Sequence, residues 1–273
     1  MIEISFQMRY NKKDMIELYW YGTATVLLDI DGEKLLFDPF FRRNKKLEQP
    51  EIKEFARADA IFNTHSHFDH LCDVPEILKK SHANLYGSST AYLRLKRQGV
   101  DVEKRAVVLR EYETRHFKNA SIKVYPARHI KNDLGIVLLT SLKVLFAFQL
   151  HRAVKLLNMH NKYLMGGSIM AFEVKAQGKN ILIFGSAGID KSVRLPENVD
   201  VLVWPFQGRA NMTKYSLPII ERIKPKLVIL DHFDNAFPPV TGNVNTEKFI
   251  KTMKKKHPEI KVIVPKYKQK IEI

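Results

Sequence analysis

Apolar positions in this chain gather into short runs that end at polar residues. Leu18-Tyr19-Trp20-Tyr21 passes through Gly22 into Val26-Leu27-Leu28, and Leu35-Leu36-Phe37 follows, ahead of Asp38-Pro39. Further runs are Ala58-Asp59-Ala60-Ile61-Phe62, Ala106-Val107-Val108-Leu109 and Ser121-Ile122-Lys123-Val124-Tyr125. The second half repeats the scheme with Ile169 to Val174, Ile181 to Phe184, Val201 to Trp204 and Leu227 to Leu230. Short runs of this kind, bounded by turn residues, predict strands, and Gln177-Gly178-Lys179-Asn180 predicts a hairpin turn. Helices are expected at about 74 to 80, after Asp73 as cap with Pro75 in the first turn, and from Ser88-Ser89-Thr90 to Arg97, ended by Gly99. A third is expected at about 213 to 223. Two sheets face to face with helices outside is the architecture that this pattern implies.

Residues 131 to 166 interrupt the order. Ile136 to Leu150 is strongly apolar, free of Gly and Pro, and runs on into the basic segment His151-Arg152-Ala153-Val154-Lys155-Leu156-Leu157. As one helix of about 22 residues it would reach about 33 Å. Lys143 interrupts it, and both flanks return to one fold, which argues against a membrane span. Two expectations stand: a core or homodimer helix, or an interfacial lid beside the site near His129, hinged at Gly166-Gly167 and able to meet lipid.

Chemistry concentrates in Thr64-His65-Ser66-His67-Phe68-Asp69-His70, directly after an apolar run. Imidazole and carboxylate together suit zinc, and also manganese or iron. Other runs also end at polar groups: Ala127-Arg128-His129, Gly185-Ser186-Ala187-Gly188 and Asp231-His232.

The spacing His-x-His-x-Asp-His resembles the signature of the metallo-β-lactamase-fold hydrolases, and the later motifs follow in that family's order. The segment from Leu18 to Pro39 is similar to the opening hairpin of the branch that contains lipid phosphodiesterases and sugar-lactone hydrolases. Thr23 stands where that branch usually has histidine. The resemblance implies an α/β fold, a four-layered αββα sandwich of two mixed sheets flanked by helices, over residues 1 to 273 as one domain. It implies one or two divalent metal ions at one sheet edge, with His65, His67 and His129 holding the first and Asp69, His70 and His232 the second. The family normally places a bridging aspartate where this chain has Ser186, a poor ligand at neutral pH. Three outcomes are then open: one metal on the three histidines, a substitute carboxylate from Asp190, Asp231 or Asp234, or loss of hydrolysis with binding retained. With one metal, Asp69 is free to orient water or take its proton. Arg209 follows a predicted strand and could neutralise an anionic group.

Composition narrows the setting. With 273 residues and 45% hydrophobic content the chain can bury a large core, and its single Cys72 excludes an internal disulfide. Cys72 lies close to His70, though a small buried side chain is the expected role. Met1-Ile2-Glu3-Ile4 reads as an immediate strand and not as a secretory leader, so a cytoplasmic protein is expected. The net charge of +16 comes in scattered groups such as Lys12-Lys13, Arg42-Arg43 and Lys254-Lys255-Lys256, and leans towards a small anionic or lipid-like substrate. Peripheral membrane contact is a further expectation. A nucleic-acid-processing nuclease is the rival, weakened by a hydrophobic insert where a basic clamp would serve. A non-catalytic binding protein is another. His82, His116, His151, His160 and His257 lack ligand spacing and are expected at surface or core positions, though His151 and His160 lie in the insert and could approach the cleft.

Overall fold

The computed structural model describes residues 15–146, 148, 150–163 and 167–273. The expected strand at Met1 to Ile4, Lys12-Lys13 and Gly166 lie outside them. The first sheet takes β1 (Ile16–Gly22), β2 (Thr25–Ile30), β3 (Glu33–Phe37), β4 (Ala60–Phe62), β5 (Asn84–Gly87) and β6 (Ala106–Val108). The second takes β7 (Thr114–His116), β8 (Ser121–Ala127), β9 (Ile169–Ala176), β10 (Lys179–Phe184), β11 (Val201–Pro205), β12 (Leu227–Asp231) and β13 (Lys261–Ile263). The last strand, β14 (Lys270–Glu272), returns to pair with β1, so that among the described residues each sheet has seven strands.

Both sheets are mixed. Antiparallel hairpins β1–β2–β3 and β8–β9–β10 give way to parallel neighbours, β3 to β6 and β10 to β13. The parallel strands are apolar at successive positions because both of their faces are covered. Along β3, Leu35 and Phe37 enter the core between the sheets while Leu36 faces the outer helices. In β4, Phe62 points inward and Ile61 outward. The inner layer joins Phe37 and Phe62 to Phe172 of the other sheet, with ring centroids 5.0 to 5.9 Å apart.

Helices cover the outside. On the first sheet lie α1 (Ile52–Phe55), α2 (Phe68–Leu71), α3 (Val74–Lys80), α4 (Ser89–Arg97) and α5 (Val102–Arg105), which contribute Phe55, Leu71, Ile77, Leu95 and Val102 to the outer core. Ser88 caps α4 by accepting the Ala91 N–H, as its sequence predicts. The segment between β8 and β9 forms α6 (Leu134–Phe146) and α7 (Leu150–Tyr163). The second sheet is covered by α8 (Met212–Ile223) and α9 (Glu247–Lys256), whose Ile220, Phe249 and Met253 are buried. The four-layered αββα sandwich is therefore the fold.

One expectation fails. The stretch 136 to 157 is two helices, not one, because Phe148 between them takes φ +49° and breaks the helical path. Among the described residues no helix is long and apolar enough to cross a membrane.

Candidate metal centre

Four strand ends deliver the chemistry to one edge of the sandwich. After β4, the Asn63 N–H donates to the Tyr86 carbonyl at 2.9 Å, and the Thr64 carbonyl accepts Met170 N–H of the second sheet at 2.9 Å. The chain then turns through His65 and His67 into α2, whose single turn carries Asp69 and His70. His129 follows β8 and His232 follows β12. His232 sits at φ +55°, a left-handed conformation uncommon for histidine, and its N–H donates to the Thr23 carbonyl at 2.8 Å. Thr23, itself at φ +51°, donates its N–H to Asp234. At Gly185, past the end of β10, a side chain would fall inside that of Thr64, so glycine is required for the close approach.

The six side chains meet in two groups. Ligand atoms of His65, His67 and His129 all lie within 4.8 Å of one another, and so do those of Asp69, His70 and His232. His65 Nε2 is 3.2 Å from His67 Nδ1, and His70 Nε2 is 3.4 Å from His232 Nε2. Asp69 Oδ2 lies 3.7 Å from His70 Nε2 and 3.6 Å from His232 Nε2. A tetrahedral zinc site with bonds of ~2.0–2.1 Å separates its ligand atoms by about 3.3 Å. These spacings and the donor types fit such an ion at either group. The His65 and His70 rings, 4.0 Å apart, join the groups into one cluster.

Three of the rings are also gripped from behind. His65 Nδ1 lies 3.0 Å from Thr64 Oγ1, His129 Nδ1 is 2.8 Å from the Ile130 carbonyl, and His70 Nδ1 is 2.8 Å from Asp38 Oδ2. Such outer partners fix the tautomer and aim the remaining nitrogen. Asp38 is the residue that the sequence reading missed. Its carboxylate also accepts the Thr64 N–H at 2.8 Å and the Thr64 hydroxyl at 2.5 Å. The available signal was its place in Phe37-Asp38-Pro39, a polar end to an apolar strand.

Burial, with the neighbouring imidazoles adding to it, holds His65 well below the ordinary histidine value. Burial sets His67 at about 3 and His232 at about 4, and depresses His129 as well. Neutral imidazole is the form that a metal ligand needs. His70 goes the other way, because the Asp38 and Asp69 carboxylates outweigh the burial that opposes its charge.

The remaining candidates separate cleanly. Ser186 lines the cleft, but its buried hydroxyl accepts the Ile130 N–H at 3.0 Å and so anchors the loop that carries His129. Asp190 belongs to neither group: it takes Arg128 at 2.5 Å and the Ser192 N–H and hydroxyl. Asp231 also belongs to neither, fully buried with burial and the Asp38 and Asp234 charges pushing its carboxyl well up. Asp234 is held by Arg42 at 3.4 Å and by Thr23. None of the three aspartates lies in either group: Asp190 serves a turn, Asp234 pairs with Arg42 and Thr23, and Asp231 is fully buried. Arg209 does line the cleft, stacked over Tyr215 at 5.1 Å. Cys72 is half-buried, 3.1 Å from the Arg43 guanidinium, and outside both groups. His160, one of the two insert histidines able to approach the cleft, comes close to the cluster: from α7 its ring reaches 5.0 Å from that of His67 and 6.0 Å from that of Phe68. His82, His116 and His151 are exposed, and His257 pairs with Glu221, as expected of them.

The cluster opens into a cavity of about 560 Å³, walled on one side by Ile136, Val137, Leu139 and Thr140 of α6. Gln207, Arg209 and the segment from Thr241 to Val244 line it as well.

The profile of the beta-lactamase superfamily domain matches residues 17–232, most of the chain and every residue of the two groups. This chain belongs to the metallo-β-lactamase superfamily. Within the superfamily it is 26% identical over 238 residues to a UPF0173 metal-dependent hydrolase of Ligilactobacillus salivarius, covering 84% of this chain and 90% of that one. It is 27% identical over 267 residues to a UPF0173 metal-dependent hydrolase of Pyrococcus abyssi, covering 95% and 100%. Among solved structures, the metallo hydrolase Igni18 of Ignicoccus hospitalis superposes with a TM-score of 0.68 at 17% identity, covering 95% of this chain and 98% of that one. Both the fold and the class expected from the sequence hold: a metal-dependent hydrolase of the metallo-β-lactamase superfamily.

Proposed function

We propose that this hydrolase uses metal-activated water on an anionic ester, a phosphodiester or a lactone, that also carries an apolar portion. The observation that supports it most is the meeting of six donors in two groups at the floor of one cleft. His65, His67 and His129 would hold one divalent ion and Asp69, His70 and His232 another, with zinc the best match to the donor set and spacings. Bound there, such ions lower the pKa of water and polarise the substrate's oxygen.

The chain's own groups do the rest. Asp69 belongs to the second group, 3.7 Å from His70 Nε2 and 3.6 Å from His232 Nε2, and where only the three histidines hold an ion its carboxylate is free to orient the attacking water and accept its proton. Arg209, which lines the cleft, pairs with the substrate's negative charge. Ile136, Val137 and Leu139 give the apolar portion a wall and exclude water. Ser186 holds the His129 loop and leaves the cluster without a bridging carboxylate, so the ion at Asp69, His70 and His232 is the weaker one. A cytoplasmic location belongs to the same reading and rests on the lone cysteine.

Elemental analysis of protein purified without chelator tests the centre, alongside a Ser186→Asp variant and a panel of phosphodiesters and lactones. Two ions per chain are expected, one lost first to dilute chelator and kept longer in the variant. Near-zero metal in both proteins would overturn the hydrolase reading and leave a binding protein. Full metal content with no turnover of either ester class would overturn the substrate reading alone.

A further inference from the structure

The helical hairpin beside the cleft exposes what a soluble surface normally hides. A helix that is apolar all round belongs in a core or a bilayer. Among the described residues α6 buries none of its side chains. Its neighbour is different: α7 buries Ala153 and Tyr163 and packs Leu156 and Met159 against the first sheet's outer core. The hairpin is thus anchored through α7. Held through Asp133, which accepts the Ile136 N–H, and through Lys143, which donates to the Thr241 carbonyl, α6 carries its leucines outward. Its tip is aromatic and bare, with Phe146 72% and Phe148 91% exposed between Leu145 and Leu150. Contiguous apolar exposure of this kind marks an interaction surface.

Charge says what covers it. No Asp or Glu occurs between Asp133 and Glu173, while Lys143, Arg152, Lys155 and Lys162 do. Beside α7 lies a second cavity, of about 550 Å³, walled by Lys45, Lys46, Arg152 and Lys155 and, among the described residues, by no acidic one. A second copy of the chain would bring the same basic collar and another +16 charge, and would be repelled. The partner is therefore apolar within and anionic at its surface.

We propose that the α6–α7 hairpin docks the protein on an anionic lipid bilayer, with Leu145, Phe146, Phe148 and Leu150 entering the acyl boundary and the Lys45, Lys46, Arg152 and Lys155 collar against the headgroups. One apolar tip alone gives marginal, reversible attachment, whereas an apolar tip with a basic patch gives a stable one. The docking rests on the hairpin and not on which ester is hydrolysed. It sets the mouth of the metal cleft at the membrane surface, since α6 is one wall of that cleft.

Sedimentation of the full chain with vesicles of phosphatidylcholine, alone or mixed with phosphatidylglycerol, tests the proposal, with analytical ultracentrifugation in the absence of lipid. Binding is expected to the mixed vesicles only. Lys45→Ala with Lys155→Ala should each weaken partitioning about fivefold. Phe146→Ser with Phe148→Ser should weaken it about tenfold or more, with an unchanged circular dichroism spectrum. Failure of the natural chain to sediment would overturn the docking. Equal binding by the aromatic double variant would also overturn it, as adsorption by charge alone. A dimer that the double variant abolishes would reassign the face to a second copy.

Discussion

The metal edge and the α6–α7 hairpin lie side by side, yet they are determined in opposite ways. At the edge, His65, His70 and His129 each have a second partner behind the ring, and both sheets reach in to hold the loop. On α6 nothing holds the outward leucines, and the tip ends in exposed aromatics. The edge is specified from within the chain. The hairpin has a surface whose complement lies outside it. The contrast separates rings oriented by partners inside the chain from apolar groups that the chain leaves unburied.

The largest effect should come from breaking that internal specification. Asp38→Asn removes the carboxylate beside His70 and one acceptor for Thr64. Metal affinity should fall about 10- to 100-fold, read by competition with a chelator, and unchanged affinity would deny that the outer partners organise the edge. Acid comes next. Burial sets His67 at about 3 and His232 at about 4, and depresses His65 and His129 too, whereas unfolded histidine titrates near 6.5. As pH falls below about 6.5 the unfolded chain binds more protons, so stability drops towards those folded values. His70 and the buried Asp231 and Asp234 carboxyls, all raised, contribute the opposite sign, and the four depressed rings outweigh them. The melting temperature of metal-free protein should fall by about 4 °C or more between about pH 7 and pH 5. A rise would mean that the rings are not held neutral. The smallest effect belongs to the hairpin: Phe148→Ser should change folding stability by less than about 0.5 kcal/mol in the absence of lipid, by denaturant titration. A large loss there would show that the tip is already packed and erase the contrast.

The sandwich was legible because its strands are short apolar runs with polar ends, and each end falls where a sheet edge can use it. The two ligand groups followed from the order of those ends and from the family resemblance, and the geometry brings the same six residues together. Three features were missed in whole or in part. Asp38 acts through His70, from which 32 residues separate it, and nothing local marks that pairing. His160 reaches His67 only because α7 folds back over α2, a consequence of the break at Phe148. That break carries no glycine or proline to announce it, so periodicity read straight through. Ser186 is the converse case. Its identity was conspicuous against the family pattern, but its work, accepting the Ile130 N–H, depends on a backbone group of another strand's loop.

The Thr23–Asp234 hydrogen bond spans 211 residues and shares its corner with the bond from His232 to the Thr23 carbonyl. On a ribosome the chain emerges in order, and His65, His67 and His129 are all synthesised long before His232. The first trio can therefore meet during synthesis, while the second waits until β12 is released and finds the opening hairpin. The second group is thus assembled only after β12, and a product truncated before His232 would carry the first trio alone.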